Sequence, residues 1–330
     1  MKEILEFRIN SDFAHLLFNA GEGRDLGGVR VVQLSKEDPR YNQIPIIEEE
    51  LRKKHGRGFF FSWNIKRKYS KMELSTASLL HIKIKSYFGP AGEECGTMYN
   101  EAVACEICGA NRKQVGPLIL KRASIPNKDV AATFILSEIV VSEKFANAVM
   151  RRNLKGVVLS PVNFRKGSGY YQLASDTEVE LSRHTVACVD PFDFSEGSDL
   201  EGEYTIEGVP GHIFKYEKEV YKCPKGHTLG LNLLSEPYVL DNEAIKRCDF
   251  FVSRQKLGVK RGMLVPTPIY FCSQAFRKMV EEEKLTGFGF ERAVVVQPVS
   301  SDLQPVDSDT DSGEKHDAKP DDVDESFDEL

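Results

Sequence analysis

The sequence lacks the features that mark several large protein classes. It has no apolar run of the roughly 18 residues that a membrane-spanning helix needs, and its charged N-terminus has no signal-peptide core. It contains no phosphate-binding glycine-rich loop, no His-Glu-x-x-His motif and no Gly-x-Ser-x-Gly nucleophile elbow. These absences argue against a membrane protein, a secreted protein and the enzymes that carry those motifs. We therefore expect a non-catalytic, cytoplasmic protein.

Negative charge is concentrated at the C-terminal end of the chain. The formal net charge is −6, yet residues 301–330 alone contain 12 acidic residues against 2 lysines. This segment is rich in serine and poor in large apolar residues, so it buries too little surface to offset the entropy lost on folding. We predict that residues 299–330 form a disordered acidic tail, which serves either for solubility or as a docking segment.

The seven cysteines are an odd number scattered along a chain without a secretory signal, which disfavours a disulfide framework. Three of them stand among apolar or mixed neighbours and are predicted to be small core residues: Cys188, Cys248 and Cys272. Cys95 lies in a Glu- and Gly-rich loop and remains open to more than one interpretation. The other three are candidate metal ligands.

Two cysteine-containing turns predict a zinc site. Cys105 and Cys108, followed by a glycine, form a Cys-x-x-Cys-Gly knuckle that can aim two thiolates at one ion. A second turn brings Cys223 and His227, four positions apart. Together they make a closed set of three sulfurs and one nitrogen, typical of structural zinc. Cys95 or another histidine is the alternative fourth ligand, and a redox role for the first pair is the competing interpretation.

An internal repeat follows the two knuckles. Residues 142–159 align without a gap with residues 273–290, and a Ser, a Phe, a Val, a Leu and a Gly recur in register. Each serine is a suitable helix N-cap, and each Phe-Val pair lies on one helical face. Each copy therefore predicts strand, helix, strand, with the glycine ending the helix. Phe145 and Phe276 are predicted to be equivalent and buried.

These patterns together predict an α+β fold. We expect two related halves, each a knuckle plus a β-α-β unit, joined by a zinc-ribbon-like site. The predicted regions are 1–90, an N-terminal α+β layer; 91–209, the first knuckle and repeat; 210–298, the second knuckle and repeat; and 299–330, the tail. Within the first, a helix beginning at Pro45 and a half-exposed strand at residues 81–85 are predicted.

Residues 52–71 combine basic and aromatic side chains. A basic groove with stacking aromatics can hold single-stranded nucleic acid, which makes nucleic-acid binding the alternative function. The same segment also fits a buried strand with charged turns on either side, because strands favour aromatic residues. We favour the buried strand.

The knuckle at residues 105–109, a second cysteine turn more than a hundred residues later and the Ser…Phe…Leu-x-Gly segment resemble the double-CXXCG motif proteins, known mostly from myxobacteria. The resemblance covers residues 90–298 and maps Cys105, Cys108 and Cys223 onto family knuckle cysteines. A full second knuckle would place a cysteine at Gly226. Some members resemble immunity proteins that neutralise a cognate toxin. The resemblance therefore implies a zinc-stabilised protein that binds a protein partner, such as a toxin.

Overall fold

The computed structural model describes residues 1–134, 138–164, 167, 169–188, 191–192, 202–204, 214–216, 222–260 and 263–298. Over these residues the protein is a mixed α+β structure, as the sequence predicts. The predicted acidic tail, residues 299–330, lies outside the described residues. No helix within the described ranges is long and apolar enough to cross a membrane.

Strands outnumber helices. The strands are β1 (Lys2–Asn10), β2 (Arg24–Asp25), β3 (Val29–Leu34), β4 (Phe60–Lys68), β5 (Leu79–Ile84), β6 (Tyr87–Phe88), β7 (Met98–Asn100), β8 (Lys113–Val115), β9 (Val130–Thr133), β10 (Ile139–Ser142), β11 (Val157–Pro161), β12 (Tyr170–Ser175), β13 (Glu178–Val179), β14 (Ala187–Cys188), β15 (Gly202–Tyr204), β16 (Phe214–Tyr216), β17 (Thr228–Gly230), β18 (Asn232–Leu233), β19 (Tyr238–Leu240), β20 (Phe250–Leu257), β21 (Thr267–Cys272) and β22 (Phe288–Val296). The helices are α1 (Ile44–His55), α2 (Lys71–Thr76), α3 (Gly92–Cys95), α4 (Glu143–Arg152), α5 (Glu243–Arg247) and α6 (Gln274–Glu282).

The N-terminal layer is a four-stranded antiparallel sheet in the order β2-β3-β1-β4, covered by α1. The helix contains Pro45 in its first turn, as predicted, and ends at Gly56, whose φ of 65° suits a left-handed cap. The buried carboxylate of Glu48 accepts hydrogen bonds from the backbone N–H groups of Phe59 and Phe60. These bonds hold the helix against the start of β4.

The rest of the fold is built around two larger sheets. A five-stranded sheet has the order β11-β12-β10-β9-β6. A seven-stranded sheet has the order β13-β20-β21-β5-β22-β19, with β17 also paired to β20. Over the predicted half-exposed strand at residues 81–85, Ile82 is buried whereas Lys83 and Lys85 are exposed, as predicted. His81 departs from this alternation and is buried, as are Leu79 and Leu80, because β5 lies between β21 and β22 with apolar clusters on both faces. Residues just before the predicted boundary at 90 thus pair with strands from 267–296.

The two sheets have equivalent strand pairing. Strands β6, β9, β10, β12 and β11 of one correspond to β13, β20, β21, β5 and β22 of the other. The registers agree: Val141 pairs with Tyr171 as Cys272 pairs with Leu80, and Val157 pairs with Ser175 as Phe288 pairs with Ile84. We call residues 79–163 unit 1 and residues 170–294 unit 2. Because β5 of unit 1 lies in the sheet of unit 2, and β12 of unit 2 in the sheet of unit 1, the units are reciprocally intertwined.

Two aspartates link the two intertwined units by hydrogen bonds. Asp129 of unit 1 accepts hydrogen bonds from the Ser142 hydroxyl at 2.8 Å and from the Thr286 N–H of unit 2 at 2.7 Å. Asp249 of unit 2 accepts from the Ser273 hydroxyl at 2.7 Å and from the Lys155 N–H of unit 1 at 3.0 Å. Each carboxylate therefore bonds its own unit's helix cap and a loop of the other unit.

The predicted helix repeat is present in both units. Ser142 and Ser273 cap α4 and α6, each accepting from a backbone N–H at 3.2 Å. Phe145 and Phe276 are fully buried, as predicted, and their ring centroids are 5.9 Å apart. The two helices thus meet through equivalent rings in one shared core.

A glycine follows each helix at the same spacing in both copies of the repeat, but it does not end the helix as predicted. The helices end at Arg152 and Glu282, before the glycines. A Cβ at Gly156 would lie 2.3 Å from the Phe250 carbonyl oxygen, and one at Gly287 would lie 2.3 Å from that of Val130. The glycines are needed because each loop passes close to the other unit's backbone.

Candidate metal centre

Both predicted knuckles are tight, hydrogen-bonded turns. In the first, the N–H of Gly109 donates to the Cys105 carbonyl at 2.8 Å, and Gly109 has a φ of 72°. In the second, the N–H of Gly226 donates to the Cys223 carbonyl at 2.8 Å, and Gly226 has a φ of 73°. Glycine is favoured at both positions because the left-handed conformation strains residues with a Cβ.

The fold brings the four predicted ligands together. The Sγ atoms of Cys105, Cys108 and Cys223 and a ring nitrogen of His227 all lie within 4.8 Å of one another. Cys105 Sγ is 3.9 Å from Cys223 Sγ, and His227 Nδ1 is 3.9 Å from Cys108 Sγ and 3.7 Å from Cys223 Sγ. Thiolates about 2.3 Å from a tetrahedral ion are about 3.8 Å apart. The group could therefore hold a metal ion.

The two knuckles occupy equivalent places in the two units. Ile119, eleven residues after Cys108, forms a parallel bridge with Asn163; Tyr238, eleven residues after His227, pairs with Val294 in the same way. The short strand pairs around the knuckles also agree, since β7, before the first knuckle, pairs with β8 after it, and β14, before the second knuckle, pairs with β18 after it. Each unit thus supplies two of the four donors.

The end of β20 supports both knuckles. The N–H of Lys256 donates to the His227 carbonyl at 2.8 Å, and the N–H of Lys260 donates to the Cys108 carbonyl at 3.0 Å. A Cβ on Gly109 would lie 2.3 Å from the Cβ of Lys260, so this contact also requires glycine. The first knuckle therefore packs directly on the chain of unit 2.

Burial and neighbouring groups shift the pKa values of the cysteines in this cluster. Cys108 and Cys223 are buried beside Ala110 and Val259. Burial, together with the neighbouring thiols, raises the pKa of Cys108 to about 12. Burial also acts to raise the pKa of Cys105, but hydrogen bonds from backbone N–H groups of the knuckle outweigh it and leave that pKa lowered. A bound cation would favour the thiolate form at every sulfur.

The remaining cysteines lie outside this cluster. Cys95 is half-buried in α3 and does not belong to the group that could hold a metal ion. Cys272 is fully buried in the shared core, as predicted. Cys188 and Cys248 are half-buried and pack against two other apolar clusters.

The basic and aromatic segment, residues 52–71, is largely committed to the fold. Phe59 and Trp63 are buried in the N-terminal core. Five of its eight lysines and arginines form ion pairs with glutamates: Arg52 with Glu48, Lys53 with Glu49, Lys54 with Glu50, Lys66 with Glu6, and Arg67 with Glu3. The segment forms a strand, as predicted, but β4 has one buried and one exposed face. Phe61 is 49% exposed, and Lys66, Arg67 and Lys68 lie within the strand and not in a flanking turn.

Two features of the site regions escaped sequence reasoning. Tyr87 and Phe134 form an exposed, stacked aromatic pair, and His81 is buried beside a cleft. What marks these residues is that the other unit carries a different type of residue at each equivalent position. This difference can be recognised only from the strand register, because the sequences of the two segments are too dissimilar to align.

Comparison with known proteins finds no matching family model, no matching curated protein and no matching solved structure.

Proposed function

We propose that the protein holds one structural zinc ion with Cys105, Cys108, Cys223 and His227, and that it acts by binding a protein partner and not by turnover. The donor set supports zinc, because three thiolates and one imidazole at tetrahedral spacing are a common structural zinc site. Four protein ligands leave no open position for a reacting water, so the ion stabilises the joint between the units.

The observation that carries the binding role is the aromatic pair of unit 1. Tyr87 is 49% exposed and Phe134 is 66% exposed, with ring centroids 5.8 Å apart. Strand register places Glu178 and Arg254, both exposed, at the equivalent positions of unit 2. The backbone therefore tolerates charged residues there, and folding does not require the rings.

Exposed aromatic pairs that the fold does not need favour an interaction surface. Rigid aromatic side chains supply much of the binding energy at protein interfaces, since they bury a large area at low cost in side-chain entropy. The resemblance to double-CXXCG proteins points to the kind of partner. We propose that the protein is an immunity protein whose partner is a cognate toxin encoded by a neighbouring gene.

The test is binding of the neighbour-encoded protein by purified full-length chain. The variant Tyr87→Glu/Phe134→Arg installs the residues that unit 2 carries at these positions. We expect it to weaken binding at least 100-fold and to abolish growth rescue when both genes are co-expressed. Its thermal midpoint should stay close to that of the wild type, because equivalent charges are tolerated in unit 2.

Met150→Glu is the matched control, since Met150 is 64% exposed on α4 and lies outside the aromatic pair. This control should bind and rescue like the wild type. Unchanged binding by the double variant would contradict the assignment of the surface. Binding of RNA or DNA that weakens with salt, without binding of the neighbour-encoded protein, would favour the nucleic-acid alternative.

A further inference from the structure

We propose that a cleft between three sheets binds a small monocarboxylate with an apolar body. The cleft has a volume of about 210 Å³ and lies where β4 of the N-terminal sheet meets β5 and β21 of the seven-stranded sheet and β10 of the five-stranded sheet. Much of its wall is aliphatic, formed by Ile65, Ile82, Ile139, Leu233, Pro268 and Ile269. Apolar walls with a few polar groups are typical of small-molecule sites.

His81 lines this cleft without a complete set of hydrogen bonds. Its side chain is 9% exposed, and its buried Nδ1 has no hydrogen-bond partner among the described residues. Glu291 Oε2 is 3.5 Å from Nδ1, outside hydrogen-bonding geometry. Burial lowers the pKa of His81 to about 4, so at pH 7 the ring is neutral and can both donate and accept.

At the positions equivalent to His81 and Leu233, the other sheet has two glutamines that are hydrogen-bonded to each other. The residue equivalent to His81 is Gln172, whose amide exchanges hydrogen bonds of 2.8 and 3.0 Å with Gln114. The residue equivalent to Gln114 is Leu233, which offers no polar atom and also lines the cleft. A buried polar group without a hydrogen bond is costly. With His81 and Leu233, the wall of the cleft therefore lacks the closed polar pair that unit 1 has at the equivalent positions.

The charges around the cleft favour an anion. No described lining residue is acidic. Arg67 is already engaged by Glu3 and the Leu234 carbonyl. Lys83 is exposed, lines the cleft and has no ion pair within the described part of the chain, whereas Ala174 stands at its equivalent position in unit 1. Lys83 is therefore the cation available to a ligand.

The size of the cleft limits the ligand to a small molecule. Sites for drug-sized ligands have volumes of about 300–1,000 Å³, larger than this cleft. One carboxylate can pair with Lys83 while a single ring or short chain contacts the isoleucines. Benzoate has this chemistry, and benzamide is its neutral counterpart of the same shape.

Trp63 gives a direct readout, because it is the single tryptophan of the chain and lines the cleft. Benzoate and benzamide are titrated against the zinc-loaded, full-length protein while tryptophan emission is followed. Lys83→Met removes the charge and retains the apolar stem. Lys85→Met is the matched control, since Lys85 is an exposed lysine of the same sequence region that does not line the cleft. Circular dichroism checks that each variant is folded.

We expect saturable quenching by benzoate, at least tenfold weaker binding of benzamide, and at least tenfold weaker benzoate binding by Lys83→Met. His81→Gln, which copies the residue of unit 1, should also weaken benzoate binding. Lys85→Met should bind like the wild type. The proposal is overturned if benzoate shows no saturable binding, if benzamide binds equally well, or if both lysine variants lose affinity to the same extent.

Discussion

Units 1 and 2 share their strand order and register but differ in what fills equivalent positions. Unit 1 places Glu138 where unit 2 has Ile269, and an exposed aromatic pair where unit 2 has a Glu and an Arg. In the sheet of unit 2, His81 Nδ1 has no hydrogen-bond partner among the described residues, whereas the equivalent Gln172 in the sheet of unit 1 is hydrogen-bonded to Gln114. Residue types that are the same at equivalent positions are those that the shared backbone requires. Positions where the residue types differ are not constrained in this way, and they are therefore the best candidates for functional residues.

The largest effect should come from breaking the joint between the units. Cys223→Ser removes the thiolate that contacts ligands of both knuckles. We expect zinc content to fall from one per chain to well below one. Stability should fall by on the order of 5 kcal/mol or more, because metal binding is coupled to folding. Metal analysis and denaturant titration provide the measurements.

Cys95→Ser is the control for this change, since Cys95 is the alternative ligand and lies outside the cluster. It should retain one zinc. Full zinc retention by Cys223→Ser would contradict the two-knuckle assignment.

The next largest effect tests the equivalence of the helices. Phe145→Ala and Phe276→Ala should each destabilise the protein by about 3–5 kcal/mol, because each ring is fully buried. The double variant should lose less than the sum of the two, since the rings touch and share one cavity. Urea unfolding measures all three values. Strict additivity would mean that the two rings do not pack as one core.

Substitutions at the equivalent positions 138 and 269 should have smaller effects on stability, and the effects should differ between the two units. Glu138 accepts hydrogen bonds from the Gly92 N–H at 2.9 Å, the Thr133 hydroxyl at 2.9 Å and the Tyr99 hydroxyl. Glu138→Leu leaves these donors unpaired, and we expect a loss of about 3 kcal/mol. Ile269→Val, at the equivalent position, should cost only about 1 kcal/mol. Equal losses would show that the polar network of unit 1 contributes nothing specific to its stability.

The last expected effect appears only when the pH is lowered. Burial, with Lys83 and Arg67 adding to it against Glu291, lowers the pKa of His81 from 6.5 to about 4 in the folded state. Protonation therefore favours the unfolded chain. This contribution is complete above pH 6.5 and is lost as the pH falls toward 4. The loss amounts to at most about 3 kcal/mol.

His81→Gln removes the titrating group, so its stability should change less than that of the wild type over this window. Urea titrations at pH 7, 5.5 and 4 make the comparison. Parallel pH profiles for the two proteins would show that His81 does not govern this acid sensitivity.

Local patterns predicted the elements that local physics controls. Ser142 and Ser273 cap helices as expected, since an N-cap bond spans only three residues. The four residues that come together as a group that could hold a metal ion were all named from the sequence, because cysteine spacing and turn-forming glycines are visible in short segments. The helix at Pro45 was predicted for the same reason.

The partnering of distant segments could not be predicted in the same way. Each predicted β-α-β unit does lie in one stretch of chain, but the prediction did not include the strand between its two strands: β12 lies between β10 and β11, and β5 lies between β21 and β22. Strand exchange leaves the hydrophobic pattern of a strand unchanged, because a buried strand contacts apolar neighbours whichever unit supplies them.

The sequence by itself determined the helix caps, the repeated Phe-Val faces and the knuckle ligands, because these depend on side-chain chemistry within a few residues. Only the tertiary structure decided which residues are equivalent between the units, why Gly156 and Gly287 must be glycine, and which polar group was left unpaired. Those properties depend on contacts between segments more than ninety residues apart. The pattern of one segment cannot predict such a contact, because its free energy depends on both of the segments that meet.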